Sequence, residues 1–176
     1  MTDNGWLAVW PVAAFFLGGV ATQFTGWLAH RWQRAERAQD AAAAFRERRE
    51  NFELDHLHQL NEAIQRLGRA AARVHRADML ASRDTGEYAA TLVGDEIATA
   101  LLEANRDSQM LIGLVLDEDL RERIGAAKVA INAPSGLLRG DRDAADRMFG
   151  AAVVQLEDVQ RRIAARIREI YLREPE

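Results

Sequence analysis

The longest apolar segment of the chain is residues 6–29, WLAVWPVAAFFLGGVATQFTGWLA, a run of 24 residues without a charged side chain. As an α-helix it would span about 36 Å, more than the ~30 Å hydrocarbon core of a bilayer. Every tryptophan lies at or beside one of its ends, where indole rings favour the membrane–water boundary: Trp6, Trp10, Trp27 and Trp32. The pattern predicts a transmembrane helix over residues 6–29, after a tail of residues 1–5. A buried helix of a soluble domain is the alternative, because Pro11 and Gly18 lower the hydrophobicity of the segment.

The charges on either side of this segment predict its orientation. The N-terminal tail carries Asp3 and no basic side chain, whereas Arg31, Arg34 and Arg37 follow the segment with only Glu36 against them. Basic residues stay on the cytoplasmic side of a membrane. We therefore expect a single-pass protein of the cell membrane, with its N-terminus outside and its C-terminal domain in the cytoplasm. A cleaved signal peptide is disfavoured, because the N-terminus is not basic and the apolar run is too long.

The rest of the chain has a helical pattern, with no sustained alternation of the kind that predicts strands. Residues 30–56 are rich in Ala, Arg and Glu, which are strong helix formers, and contain few large apolar side chains. We expect them to form a charged helical stalk. The predicted fold class is all-α: an N-terminal transmembrane helix that continues through this stalk into an antiparallel helical bundle over residues 57–176.

The first helix of the bundle is predicted from its apolar spacing. From Leu57 onward the apolar residues recur every three or four positions, which is the spacing of a helix packed against another helix. These residues are Leu60, Ile64, Leu67, Ala71 and Val74. The turn formers of residues 82–88, SRDTGEY, then end the helix.

Three further helical patterns follow. The second runs to Leu116 and has Gly94 and Gly113 inside it; its apolar positions are Leu92, Ile97, Leu101, Leu102, Met110, Leu111, Leu114 and Val115. The third begins at DEDLRER, where Asp119 and Glu122 have the spacing of a capping box, and it ends near NAPSG. The last begins near Arg142 and has an apolar stripe to the C-terminus, formed by Phe149, Val153, Leu156, Ile163, Ile167 and Ile170.

A stripe of small residues recurs every four positions within the predicted transmembrane segment: Ala14, Gly18, Thr22 and Gly26. Small side chains on one face let two membrane helices approach closely. The stripe therefore predicts self-association of the anchor into a homo-oligomer. The alternative is that these residues reflect only the general frequency of glycine and alanine in membrane helices.

Four arginines form a stripe on the first bundle helix: Arg66, Arg69, Arg73 and Arg76. At about 100° per residue they fall within an arc of about 80°, nearly opposite the apolar seam. Glu62, on the same face, can pair with Arg66. The stripe is either an ordinary solvated helix face or a docking strip for an acidic partner or a phosphate group.

Two short motifs resemble metal sites but lack the rest of the ligand set. Glu53 and His56 have the Glu-x-x-His spacing of di-iron bundles, which need a second copy and further glutamates. We expect this pair to lie on a polar helix surface. Asp141, Asp143 and Asp146 lack the glycine and final glutamate of an EF-hand loop, so we expect them to cap a helix N-terminus. The sequence predicts no metal site.

Composition and missing motifs limit the function further. The net charge is −4, which argues against nucleic acid as a partner. The chain has no cysteine, no glycine-rich phosphate loop and no Gly-x-Ser-x-Gly. We therefore expect no catalytic residues and no cofactor, although a deep polar pocket in the bundle would reopen the case for an enzyme.

The glycine-containing apolar helix is followed by HRWQRAER and then by FRERRENFELDHLHQLNEAIQRLGRAAARVH, within residues 14–80. The order of these segments is the basis of a resemblance to a group of uncharacterised small actinobacterial single-pass membrane proteins. It implies an anchor followed by an Arg-rich helical cytoplasmic region, and no particular activity. We expect a non-catalytic, membrane-anchored interaction module that contacts the lipid bilayer and an unknown protein partner. The alternative is a membrane-active effector, phage-related or defensive, whose anchors oligomerise and permeabilise the bilayer.

Overall fold

A computed structural model describes the backbone of residues 5–136 and 140–173, and the side chains of residues 37, 39–136 and 140–173. This part of the chain is all-α, as the sequence predicted, and it contains no strand. The helices are α1 (Gly5–Thr85), α2 (Asp95–Ile112), α3 (Glu118–Asn132), a single-turn 3₁₀ helix (Pro134–Gly136) and α4 (Arg142–Tyr171). The chain divides into two compact units, Met1–Arg49 and Glu50–Glu176.

The first unit contains the N-terminal part of α1. Each of its described side chains is exposed, including Phe45. Among the residues whose side chains are described, no helix has an apolar stretch long enough to cross a membrane. The side chains of residues 6–29 lie outside that described part, so the transmembrane helix stays a prediction.

The second unit is an antiparallel four-helix bundle. Contacts between α1 and α4 join rising residue numbers on one helix to falling numbers on the other: Glu53 with Arg166, Gly68 with Leu156, and His75 with Asp146. The same order relates α1 to α2, where His56 contacts Leu111 and Arg66 contacts Asp107. The helices α2 and α3 are also antiparallel, because Asn105 contacts Asn132 and Gln109 contacts Lys128. Each helix therefore runs opposite to its neighbours, because the connections between them are short.

The core of the bundle is built on the predicted seam of α1. Leu60, Ile64 and Leu67 are fully buried, and Ile163 on α4 is equally inaccessible. The apolar stripe of α4 is buried at Leu156 and Ile170 and half-buried at Phe149, Val153 and Ile167. Spacing by three and four residues thus identified the core faces of both long helices.

The second unit begins at Glu50, and it includes residues that the sequence analysis assigned to the stalk. Glu53 and His56 are buried in it. The expectation of a polar helix surface is therefore wrong at these two positions. Both residues lie on the same face as the apolar seam, so they turn inward with it.

The second helix is shorter than predicted, because the two glycines expected inside it are its caps. Gly94 precedes α2 and Gly113 follows it. Leu92 consequently lies outside the helix and is fully exposed. The side chains that α2 buries are Ala104, Ser108 and Ile112, whereas Leu102 and Met110 of the same helix are exposed. Leu114, just after the helix, is exposed as well.

Aspartate side chains cap the two remaining helices. Asp117, and not the predicted Asp119, caps α3, where it accepts a hydrogen bond from the Leu120 N–H at 3.0 Å. Asp141 caps α4, as predicted, and accepts bonds from the N–H groups of Ala144 and Asp143. These bonds hold the pKa of the Asp141 carboxyl below its usual value, because they favour its charged form.

Gly68 allows α4 to approach α1 closely. A Cβ atom built at Gly68 would lie 2.8 Å from Leu156 Cδ2, whereas one at Gly150, also within a helix, would meet nothing within 4 Å. We expect Gly150→Ala to stabilise the bundle by about 0.5–1 kcal/mol through helix propensity. Gly68→Ala should not give this stabilisation, because the new methyl group would press against Leu156 in the core. Overpacking of a core typically costs about 1–3 kcal/mol. Urea denaturation of residues 45–176, which contain the whole core, measures both changes; equal effects of the two substitutions would contradict the close approach.

Candidate functional site

The four arginines of the predicted docking strip, which we call the arginine column, are all exposed. Three of them, Arg66, Arg69 and Arg73, line one side of a cavity of about 260 Å³ between α1 and α2. We call this cavity the α1–α2 groove. Arg76 lies beyond it on the same face of α1. The small-residue stripe of the anchor (Ala14, Gly18, Thr22, Gly26) lies outside the residues whose side chains are described, so its role stays a prediction.

Small residues line the floor of the groove, and long charged residues line its two rims. Ala70 and Ala104 are buried at its floor, and Ala100 lies beside them. Alanine is too short to fill the space between two helices whose axes lie about 8–10 Å apart. The arginines on α1 and the carboxylates of Glu103 and Asp107 on α2 form the two rims.

The two rims carry opposite charge, and one ion pair joins them in the part of the chain that the structure describes. Arg66 forms an ion pair with Asp107 at 3.6 Å, and both side chains are about half exposed. Such exposed pairs contribute about 0–1 kcal/mol. Arg69, Arg73 and Glu103 form no ion pair with any other residue in the described ranges. The arginine column is therefore not an isolated basic strip, because α2 places an acidic rim next to it.

A second cluster of polar side chains, the histidine network, lies within the bundle where α1, the loop after it and α4 meet. His75 Nδ1 lies 3.0 Å from the Tyr88 hydroxyl and Nε2 lies 3.1 Å from Asp146 Oδ1. The buried carboxyl group of Asp78 also acts electrostatically on the Tyr88 hydroxyl. The ring of His75 stacks on Phe149 with the centroids 4.2 Å apart. The network thus joins the end of α1 to the start of α4 across 71 residues of sequence.

Burial raises the pKa of two groups in this region, Tyr88 and Asp78. Tyr88 is fully buried, and its loop is fixed by two backbone hydrogen bonds with Gly140. Burial, followed by the charge of Asp78 and a hydrogen bond to it, raises the pKa of Tyr88 to about 12. Burial also raises the pKa of the Asp78 carboxyl, against the opposing effects of His75 and Tyr88. A phenol of this kind donates a hydrogen bond and is poorly suited to act as a nucleophile at neutral pH.

Tyr88 should therefore titrate at an unusually high pH. The chain has two tyrosines, so Tyr171→Phe leaves Tyr88 as the only phenol. We expect its phenolate absorbance to appear near pH 12 in the folded chain and near pH ~10 in concentrated urea. The folded state holds this proton to higher pH than the unfolded state does, so the free energy of unfolding should fall as the pH rises through this interval. Tyr88→Phe should remove this fall in the free energy of unfolding. Titration of the Tyr88 phenol near pH ~10 in the folded chain would contradict its burial.

A buried ion pair joins the start of the second unit to the end of α4. Arg166 Nε donates to Glu53 Oε1 at 2.7 Å, and the two side chains are 21% and 8% exposed. The carboxylate of Glu53 holds the pKa of Arg166 above its usual value. His56 Nε2 lies 2.8 Å from the Leu111 carbonyl oxygen, so it can donate a hydrogen bond to α2. The Glu-x-x-His motif of the sequence analysis thus holds three helices together.

The aspartates of GDRDAAD have separate roles. Asp141 caps α4, while Asp146, expected to be part of the same cap, instead faces His75. Within the described ranges, no three His, Cys, Asp or Glu side chains come together as a metal site.

Sequence analysis did not find the histidine network or the Glu53–Arg166 pair. Part of the information was present, since Glu53 continues the heptad spacing of Leu60, Leu67 and Val74. A polar residue at a seam position is buried and needs a partner. No local pattern identifies that partner when it lies 113 residues away.

Comparison with known proteins adds no assignment. The chain matches no protein family, no curated protein and no solved structure. The function is therefore argued from the described residues, and the α1–α2 groove is the candidate site.

Proposed function

We propose that this protein is a non-catalytic helical module, tethered to a membrane by residues 6–29, that binds a protein partner or a second copy of itself through the α1–α2 groove. The observation that carries the proposal is the exposed arginine column at the groove, where Arg69 and Arg73 have no ion-pair partner among the described residues. Unpaired guanidinium groups at a concave surface are suited to recognise carboxylates or phosphates, since arginine presents a rigid set of donors.

The roles of the buried titratable groups also support an interaction module. Glu53 and His56 bind residues of other helices, and the partners of His75 come from the loop and from α4. No buried side-chain nitrogen or oxygen in the described residues lacks a hydrogen-bond partner. These groups stabilise the bundle, which leaves the charged surface of α1 and α2 to contact other molecules.

Membrane attachment is tested on the full chain. Detergent, but not alkaline carbonate, should extract it from membranes, because a transmembrane helix inserts irreversibly. A reporter fused after Glu176 should be active only in the cytoplasm. Replacing Arg31, Arg34 and Arg37 with Glu should weaken that orientation. Extraction by carbonate, or a reporter active only outside, would contradict this part of the proposal.

Partner binding is tested by photo-crosslinking in cells. A photoreactive residue at Glu62, which is exposed on the same face as the arginine column, should give protein adducts, and one at Gln155 on α4 should not. Replacing the four arginines of the column with Ala should reduce the adducts about fivefold or more. The matched control removes the same charge elsewhere, by replacing Arg142, Arg147, Arg161 and Arg168 with Ala, and should leave the adducts unchanged. An equal loss of adducts with both sets of substitutions would contradict specific binding at the groove. In a separate assay, leakage of dye from vesicles that contain the protein would instead favour the membrane-active alternative.

A further inference from the structure

We propose that the α1–α2 groove is the interface of a parallel two-fold dimer of this chain, in which the basic rim of each protomer contacts the acidic rim of the other. This inference rests on the proposed function and names the partner. The basic rim is formed by Arg69 and Arg73 of α1, and the acidic rim by Glu103 and Asp107 of α2.

The charge pattern selects a ligand that carries both signs. A phosphate or a purely acidic peptide would be attracted by the arginines but repelled by Glu103 and Asp107 on the opposite rim. A purely basic segment would be attracted by these two carboxylates but repelled by the arginines. The occupant must present acidic and basic groups side by side at the spacing of two packed helices, and the α1–α2 face of a second copy does so.

Symmetry then determines how the two copies face each other. A two-fold axis perpendicular to the helices would place α1 against α1 and arginine against arginine. An axis parallel to the helices places α1 of each protomer against α2 of the other, so that opposite charges meet. In this arrangement both α1 helices also run in the same direction. The two chains therefore enter their bundles from the same end, as two chains anchored in one membrane require.

The charges also match in position along the helices. Within one chain, Arg66 pairs with Asp107, and Arg69 and Arg73 line the groove with Glu103. Rotation about an axis parallel to the helices preserves height along that axis. Glu103 of one protomer therefore lies level with Arg69 and Arg73 of the other, and it supplies the ion-pair partner that these arginines lack among the described residues of their own chain.

The size of the face indicates a weak dimer. The 18 residues of α2 span about 27 Å, and two helices are about 20 Å wide. The interface would bury about 1,100 Å² in total, near the lower limit for a specific interface. Confinement of both chains to one membrane raises their effective concentration, so a weak interface is sufficient.

The test uses the full chain in membranes and exploits the absence of cysteine. One tagged chain carries Glu62→Cys and a second, with another tag, carries Met110→Cys. Both positions are exposed on the proposed face. A short bismaleimide should join position 62 of the first chain to position 110 of the second. Two chains that both carry Glu62→Cys should give little adduct, because their α1 helices lie on opposite sides of the axis.

Charge exchange then tests the contact itself. Adding Arg69→Glu to the first chain should reduce the adduct about fivefold or more, because the new carboxylate faces Glu103 of the other protomer. Adding Glu103→Arg to the second chain should restore it. Arg142→Glu, at the start of α4, is the control and should change nothing. This readout reports contact between the bundles even if the anchors associate separately.

No adduct between positions 62 and 110, or an adduct that Arg69→Glu leaves unchanged, would overturn the dimer. If the chains do not cross-link to each other but a photoreactive residue at position 62 still gives adducts with another protein in cells, the interaction module stands with a different partner. Absence of both kinds of adduct would contradict the two proposals together.

Discussion

Replacing Leu67 with Ala is expected to lower the free energy of unfolding by about 2–5 kcal/mol, a large share of the stability of a small domain. Leu67 is fully inaccessible to solvent and lies in the middle of the seam that α1 presents to the core. Its truncation removes apolar contacts within the core cluster and leaves a cavity. Ile163→Ala on α4 should have an effect of the same size, because that residue is equally buried.

The control for this prediction lies on the same helix. Arg69 is exposed, and Arg and Leu have similar helix propensities, so Arg69→Ala tests the face and not the helix. We expect it to change the stability by no more than about 0.5 kcal/mol. Urea denaturation of residues 45–176, followed by circular dichroism, measures the three variants. A loss in Arg69→Ala as large as that in Leu67→Ala would show that the two faces of α1 are assigned in the wrong order.

Replacing Arg166 with Met should cost about 3 kcal/mol, because it leaves Glu53 buried without a counter-charge. The Glu53 side chain is only 8% exposed, and the 2.7 Å bond from Arg166 is its one ion pair in the described part of the chain. The carboxylate would then have to recruit water into the bundle. Because Arg166 is partly accessible, we place the cost at the lower end of the range for broken buried pairs.

Two further variants separate the buried charge from the loss of a side chain. Arg162→Met removes an arginine of the same helix whose partner, Asp158, is about half exposed, and it should cost far less. Adding Glu53→Leu to Arg166→Met should recover most of the lost stability, because a buried ion pair can often be replaced by apolar side chains. Denaturation of the parent chain, of Glu53→Leu and Arg166→Met singly, and of the double variant gives the coupling energy between the two residues. A double variant no more stable than Arg166→Met would show that Glu53 contributes more than an unpaired charge.

The exposed arginine column is a feature that the sequence could define only in part. The spacing of Arg66, Arg69, Arg73 and Arg76 placed them opposite the apolar seam, and each of them is exposed. The same helix offered one acid on that face, Glu62. The second rim of the groove comes from α2, and residues on another helix have no fixed offset in sequence from those on the first. Charge complementarity across the groove therefore emerged only when the two helices were packed together.

By itself the sequence determined the helical class, the core faces of α1 and α4, and the aspartate cap of α4. These features depend on interactions within a few residues, namely the 3.6-residue period and the hydrogen bonds of a helix end. The tertiary structure alone decided which glycines end α2, which carboxylate meets Arg166 and what surrounds His75. In the last two cases the partners lie 113 and 71 residues away. A buried polar group requires a partner, but only the packing of the helices brings that partner within hydrogen-bonding distance.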